Sequence, residues 1–218
     1  MLASFLEELR ILLEQIILSF GYVGITAVMF IENVFPPIPS EVIVPFSGFL
    51  VREGKLTFFL VLLATTVGVL LGAVVFYYLG ALLGAARVRS IFKKYGKWAL
   101  LSEKDFDHAL SFFNKHSGSV VFWARFLPGL RSLISIPAGI AKMKFGTFLI
   151  FTLCGTVIWN VLLLTAGIYL GENWESILVF IDRFEMSIYI LFFVLLTVWL
   201  VRRIRALRAS REIENQKQ

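Results

Sequence analysis

Residues 30–50 read FIENVFPPIPSEVIVPFSGFL, and residues 122–140 read FWARFLPGLRSLISIPAGI. All six prolines of the chain fall in these two stretches: Pro36, Pro37, Pro39 and Pro45 in the first, Pro128 and Pro137 in the second. The first stretch also carries two carboxylates, Glu32 and Glu41, and the second two guanidiniums, Arg125 and Arg131. Proline lacks an N–H and clashes with the preceding turn, so an apolar segment holding several prolines does not run as one clean helix. Inside a bilayer such a break is tolerated only where protein or a wet cavity covers the bare backbone. Ionisable side chains at that depth are costly and mark a functional site by default. Acids in one broken segment and bases in the other therefore locate the chemistry of this chain.

The surrounding sequence is that of a polytopic membrane protein. The 218 residues are 58% hydrophobic and 17% charged, with a mean hydropathy of +0.83. Several apolar runs reach the roughly 20 residues that a helix needs to cross a bilayer. The length fits one compact membrane domain. The net charge of +6 is unevenly placed. Arg87, Arg89, Lys93, Lys94 and Lys97 cluster in a loop after one apolar run, and Arg202, Arg203, Arg205, Arg208 and Arg211 follow the last one. Short basic segments beside membrane spans follow the positive-inside rule, which places them in the cytoplasm and makes a nucleic-acid partner unnecessary. The single cysteine, Cys154, excludes a disulfide framework and a paired-thiol metal site. Lying in an apolar run, it is expected as a small buried packing residue. The start, MLASFLEELR, lacks the positive charge of a cleavable signal peptide, so residues 1–14 are expected as an amphipathic segment at the interface.

The chain divides into two similar units at an offset of about 90 residues. Repeat 1, residues 15–84, is a broken hairpin followed by a span from Leu56 to Gly84. Repeat 2, residues 118–171, is a second hairpin followed by a span from Phe145 to Leu170. The shared order is Gly, charge, Pro, charge, Pro, Gly, ending in Pro45 with Gly48 in one copy and Pro137 with Gly139 in the other. Between them, residues 85–117 form a cytoplasmic amphipathic insert. In it Ser102 and Asp105 resemble a capping box, Phe106, Ala109, Leu110 and Phe113 share a face, and Gly118 marks the stop. Residues 172–201 are a connector and a last span, and 202–218 a basic cytoplasmic tail. The spacings Gly68xxxGly72 and Gly80xxxGly84 let helices approach closely and are expected to serve internal packing. With every basic cluster inside, the first hairpin dips from outside and the second from inside. The fold class is thus an all-α polytopic membrane protein with an inverted repeat of re-entrant hairpins, the architecture that forms substrate sites near the midplane.

The motifs Glu32-Asn33, Pro-Ile-Pro-Ser-Glu41, the FWARFLPGLR run from Phe122 to Arg131, and Pro137-Ala138-Gly139 together resemble the DedA family, whose domain is shared with the VTT (SNARE-associated) proteins. The resemblance covers about residues 15 to 172. It implies two facing re-entrant hairpins, proton-dependent behaviour and transport of a lipid across the plasma membrane. The lipid is undecaprenyl phosphate in one branch and phospholipid in another. It maps the family's essential charges to Glu32, Glu41, Arg125 and Arg131. Some members space the acids more widely and use an aspartate after a glycine, so the Glu41 position departs from that pattern.

The residues point the same way without the family. Pro128-Gly129 lies between Arg125 and Arg131, so a bend there brings both guanidiniums to one place, where their planar donors suit phosphate oxygens. Pro36, Pro37 and Pro39 lie likewise between Glu32 and Glu41. Burial favours the neutral form of a carboxylate and a nearby guanidinium favours the charged form, so a carboxyl held between them changes protonation with its surroundings. Arg125 and Arg131 are therefore expected to bind substrate phosphate and Glu32 and Glu41 to handle protons. Pro36, Pro37, Pro39, Pro45, Gly48, Pro128, Gly129, Pro137 and Gly139 are expected to shape the hairpins. The competing readings are architectural Glu–Arg pairing, a passive scramblase, and a membrane lipid phosphatase. For the last there is no HExxH, P-loop or Ser-His-Asp order, and both histidines, His108 and His116, lie in the insert. No catalytic residue, metal or cofactor is expected. The partners are a membrane lipid and protons, with a homo-oligomer left open.

Overall fold

The computed structural model describes residues 2–35, 40–95, 103–127 and 129–171, and every regular element among them is a helix. They are α1 (Leu2–Val34), α2 (Ser40–Arg52), α3 (Phe58–Tyr95), α4 (Glu103–Ala124), the short α5 (Leu130–Leu133) and α6 (Ser135–Ile140), and α7 (Phe145–Leu170). The segment of α3 from Phe58 to Ser90 and the whole of α7 are long and apolar enough to cross a membrane. These two helices run antiparallel, because Thr65 meets Asn160 while Tyr77 stacks on Phe148. The expected last span, the connector and the basic tail, and also Pro36, Pro37, Pro39 and Pro128, lie outside the described residues.

The other elements pack around the α3–α7 pair in a crossed pattern. The proline helix of each half lies on the long helix of the other. A methyl group added at Gly48 of α2 would sit 2.4 Å from the Leu164 carbonyl oxygen, and one at Gly167 of α7 would sit 2.1 Å from that of Pro45. On the other side, Gly139 of α6 and Gly80 of α3 stand in the same relation to Tyr77 and Ile136, at 1.9 and 2.1 Å. Glycine is required at all four places because backbone meets backbone. Within each half the leading helix packs on its own long helix: Gly68 abuts Thr26 and Met29 of α1, and Gly155 abuts Phe122 and Arg125. One apolar cluster holds Ile25, Met29, Ile43, Phe46, Leu50, Val61 and Leu164, and a second holds Ala73, Tyr77, Val121, Ala138 and Phe148.

Several local expectations change. The described part of the first basic cluster, Arg87 to Lys94, is not in a loop. The helix α3 continues to Tyr95 after a kink at Gly84, whose φ of 66° and ψ of 155° only glycine adopts freely, so Arg87 and Arg89 are helical. Gly84 therefore serves the kink, with no atom near enough to pack on it, while Gly68, Gly72 and Gly80 do pack internally. Gly118 does not end α4. The helix bends at His116 and runs on to Ala124, and Gly118 is small because a Cβ there would strike the Phe151 ring at 2.5 Å. Cys154 is exposed on the outer face of α7 instead of buried. Pro45 and Pro137 lie inside α2 and α6 without ending them. Pro137 falls in the first turn of α6, where the missing N–H has no intrahelical partner to lose. In α2, Pro45 deprives the Glu41 carbonyl of its usual donor four residues on.

Candidate functional site

Six helices deliver polar side chains to one buried place. The C-terminal end of α1 carries Glu32 and Asn33, and Asn33 rests on Gly72, near the middle of the straight part of α3. The first turn of α2 supplies Ser40 and Glu41. Past the end of α4 comes Arg125, whose side-chain stem lies on Gly155 of α7. The chain then reverses at Gly129, which has a φ of 74°. A hydrogen bond of 3.1 Å from the Arg131 N–H to the Leu127 carbonyl ties the turn, and α5 presents Arg131. Ser135 opens α6, and Thr152 faces inward from α7.

The four charges expected to converge do so, and all are buried: Glu32 is 5% exposed, Glu41 4%, Arg125 2% and Arg131 5%. Arg131 pairs through Nη2 with Glu32 Oε1, and its Nη1 lies 3.9 Å from Glu41 Oε1. One guanidinium thus joins both acids across the two broken segments. Arg125 is held differently. Its Nη2 donates to Ser135 Oγ at 3.0 Å and to Thr152 Oγ1 at 3.2 Å, while Nε and Nη1 have no hydrogen-bond acceptor. Among the described residues no carboxylate lies within ion-pair distance of Arg125, and it is close enough to Arg131 for the like charges to repel. Glu32 Oε2, Glu41 Oε1, Ser40 Oγ and both side-chain polar atoms of Asn33 are also without hydrogen-bond partners. The site combines one guanidinium ion-paired with two acids and a second guanidinium that still has donors to give. Pro45, Gly48 and Gly139 lie in the crossed helix contacts, Pro137 lies within α6, and Gly129 is in the turn between the arginines.

Sequence reading assigned no role to Asn33, Ser40, Ser135 or Thr152. Each is neutral and short, and nothing distinguishes such a residue from background until its surroundings are known. Thr152 belongs to a pattern that was open to notice, Thr152-Thr156-Asn160 at four-residue steps in an otherwise apolar run. His108 and His116 are exposed and far along α4 from the charges. Among the described residues no group of three or more His, Cys, Asp or Glu side chains is placed to hold a metal ion.

Residues 38–169 match the family profile of the VTT domain. The chain belongs to the VTT domain, or DedA, family. The matched span holds Glu41, Arg125 and Arg131, and Glu32 stands just ahead of it. An alkaline phosphatase-like protein of Lactococcus lactis subsp. cremoris is 43% identical over 172 residues, 78% of this chain and 80% of that protein. Undecaprenyl phosphate transporter A of Staphylococcus aureus is 31% identical over 193 residues, 88% of this chain and 95% of its own length. The protein of the same name in Bacillus subtilis is 33% identical over 183 residues, 84% and 88% of the two chains. No solved structure matches the chain. Family and composition agree that this VTT protein is a membrane protein, and two of these relatives are named as transporters.

Proposed function

We propose that this protein is a proton-coupled transporter that moves a phosphate-bearing lipid, undecaprenyl phosphate in the first instance, between the leaflets of the cell membrane. The observation that carries this reading is Arg125: a guanidinium at 2% exposure, held by two hydroxyls, with two nitrogens lacking acceptors. A buried cation in an apolar domain needs an anion, since isolated charge is expensive away from water. A lipid phosphate supplies one, with oxygens suited to guanidinium donors. Arg125 and Arg131 are the phosphate ligands in this reading, and Glu32 and Glu41 carry the protons.

Charge balance gives the coupling. Two ionised acids and two guanidiniums sum to zero. Entry of a phosphate makes the site negative, and protonation of one or both glutamates restores neutrality. A protonated Glu32 or Glu41 also releases Arg131, which then turns to the phosphate. The two helix pairs act as re-entrant hairpins of an inverted repeat within a single multi-pass domain, with the basic tail in the cytoplasm. The crossed glycine contacts support that symmetry, because each proline helix leans on the long helix of the other half. The lipid tail stays in the bilayer throughout.

The test is reconstitution in liposomes, following undecaprenyl phosphate and phospholipid between leaflets with and without a pH gradient. Gradient-driven movement of the polyprenyl phosphate, lost in Arg125→Ala, is the expected result. Gradient-independent movement of any phospholipid would instead establish a scramblase, with the glutamates as structural partners of the arginines. The relatives named alkaline phosphatase-like make phosphate release a useful control. Release of inorganic phosphate from the lipid by pure protein would replace transport with hydrolysis.

A further inference from the structure

The face of α7 that begins at the arginine site stays polar for two further turns before Leu163 and Leu164 close it. Thr152, Thr156 and Asn160 recur every four residues and so share one face. All three are buried, at 0%, 4% and 0% exposure. Opposite Asn160 stand Thr65 and Thr66 of α3, also buried, which accept from Asn160 Nδ2 at 3.2 and 3.4 Å. The amide is therefore fixed with its oxygen turned away from them. That oxygen, the hydroxyl of Thr156 and the indole nitrogen of Trp159 are buried atoms without hydrogen-bond partners. They continue the set that starts at Arg125, whose Nε and Nη1 lack acceptors one turn earlier in the row.

Between two transmembrane helices, valine and leucine would fill these positions without leaving polar atoms unmet. The spacing explains what the polar ones do. Residues four apart rise about 6 Å along a helix, close to the length of two hydrogen bonds in series at about 2.8 Å each. One water between successive side chains would meet both, and a buried water is stable where it finds two to four polar partners. The row starts at Thr152, beside Arg125, and ends at Asn160; one turn further on, Leu163 and Leu164 are buried in the first apolar cluster and Gly167 meets the Pro45 backbone.

We propose that Thr152, Thr156 and Asn160 of α7, with Thr65 and Thr66 of α3, form a hydrated polar track that opens on the charged site and holds the water through which protons reach it. Its purpose rests on the transport reading above. The charged groups at one end are Glu32 from α1, Glu41 from α2, Arg125 after α4 and Arg131 from α5; the other end, past Asn160, is closed by Leu163 and Leu164. Between those ends the described residues lining it are neutral, so water carries the proton along the row and the glutamates receive it.

The test uses the full chain in proteoliposomes with its one native cysteine replaced, Cys154→Ser. Single cysteines are then introduced as Thr156→Cys and Asn160→Cys, and as Leu153→Cys and Ile158→Cys on the exposed face of the same helix. A charged, membrane-impermeant methanethiosulfonate is added to one side at a time. A hydrated track predicts modification of the first pair at least tenfold faster than of the second, and from one side only. Equal slow rates at all four positions overturn the proposal. Hydroxyl-radical footprinting of the unaltered protein gives the same answer without substitution: oxidation of Trp159 above that of the exposed Trp123 supports the track, and the reverse order sinks it. Fast labelling in a protein whose transport ignores the pH gradient would keep the track and discard the coupled carrier. Slow labelling in a gradient-driven transporter would do the opposite.

Discussion

Arg125 and Arg131 are chemically identical and differently held, and the difference sorts their roles. Arg131 is ion-paired with two acids on another segment, while Arg125 is held by the hydroxyls of Ser135 and Thr152. Hydroxyls orient a guanidinium without cancelling its charge, which leaves Arg125 the stronger attractor for an incoming anion. A hydrogen bond to a charged group contributes about 1.5 kcal/mol or more, which is roughly tenfold in an equilibrium constant. Thr152→Val, nearly the same shape, should therefore weaken binding of undecaprenyl phosphate roughly tenfold, and Thr152→Ser should restore it. Titration of the purified protein followed by thermal shift reads this directly. Arg125→Lys keeps the charge but not the planar set of donors. It should lose binding by at least as much as the valine variant, since the ammonium cannot reach both hydroxyls and a phosphate together.

At the scale of helices, the crossed contacts are the feature most sensitive to change. A Cβ at Gly139 would lie 1.9 Å from the Tyr77 carbonyl oxygen, and at Gly167 2.1 Å from that of Pro45. Backbone cannot give way as a side chain does, so the helices must separate. Gly139→Ala and Gly167→Ala should each cost about 1–3 kcal/mol, the usual penalty of overpacking. Gly146→Ala, where a Cβ meets nothing within 4 Å, should be neutral or slightly stabilising. Unfolding titrations in mixed detergent would compare them. The proline stretches revealed where the chain breaks and which charges lie on either side, because proline and buried charge act through local rules. The helix limits were less visible. A glycine in an apolar run reads equally well as a stop, a kink or a contact, and only the neighbours separate Gly118, pressed on Phe151, from Gly84, which bends α3. The exposure of Cys154 was legible: Thr152, Thr156 and Asn160 mark the inner face of α7, and Cys154 stands two residues off that row, on the outside. The hydroxyl of Ser135 was invisible because its importance derives from Arg125, ten residues away in the chain.

For the molecule as a whole, the zero sum of the four site charges makes a quantitative claim. A phosphate monoester carries about −1.5 to −2 charges at neutral pH. A carrier that keeps its buried site neutral must then take up one or two protons with each lipid, and Glu32 and Glu41 offer two places. In such a carrier the loaded and empty sites would have equal charge, and the membrane potential would do no work on the cycle. Were one net charge moved, 100 mV would contribute about 2.3 kcal/mol, a shift of roughly fiftyfold in the leaflet ratio at equilibrium. A pH difference of one unit contributes about 1.4 kcal/mol for each proton carried. Wild-type protein in liposomes should therefore change the leaflet ratio of undecaprenyl phosphate steeply with the pH gradient. A potassium diffusion potential of the same energy should leave that ratio unchanged. Glu41→Gln removes one proton place and leaves the empty site with one positive charge. Its response to the pH gradient should fall by about one proton's worth, near tenfold per pH unit, and a dependence on potential should appear when the charge it carries no longer cancels. A voltage-sensitive wild type, or a Glu41→Gln variant with unchanged proton dependence, would separate the glutamates from coupling and return them to the role of partners for Arg131.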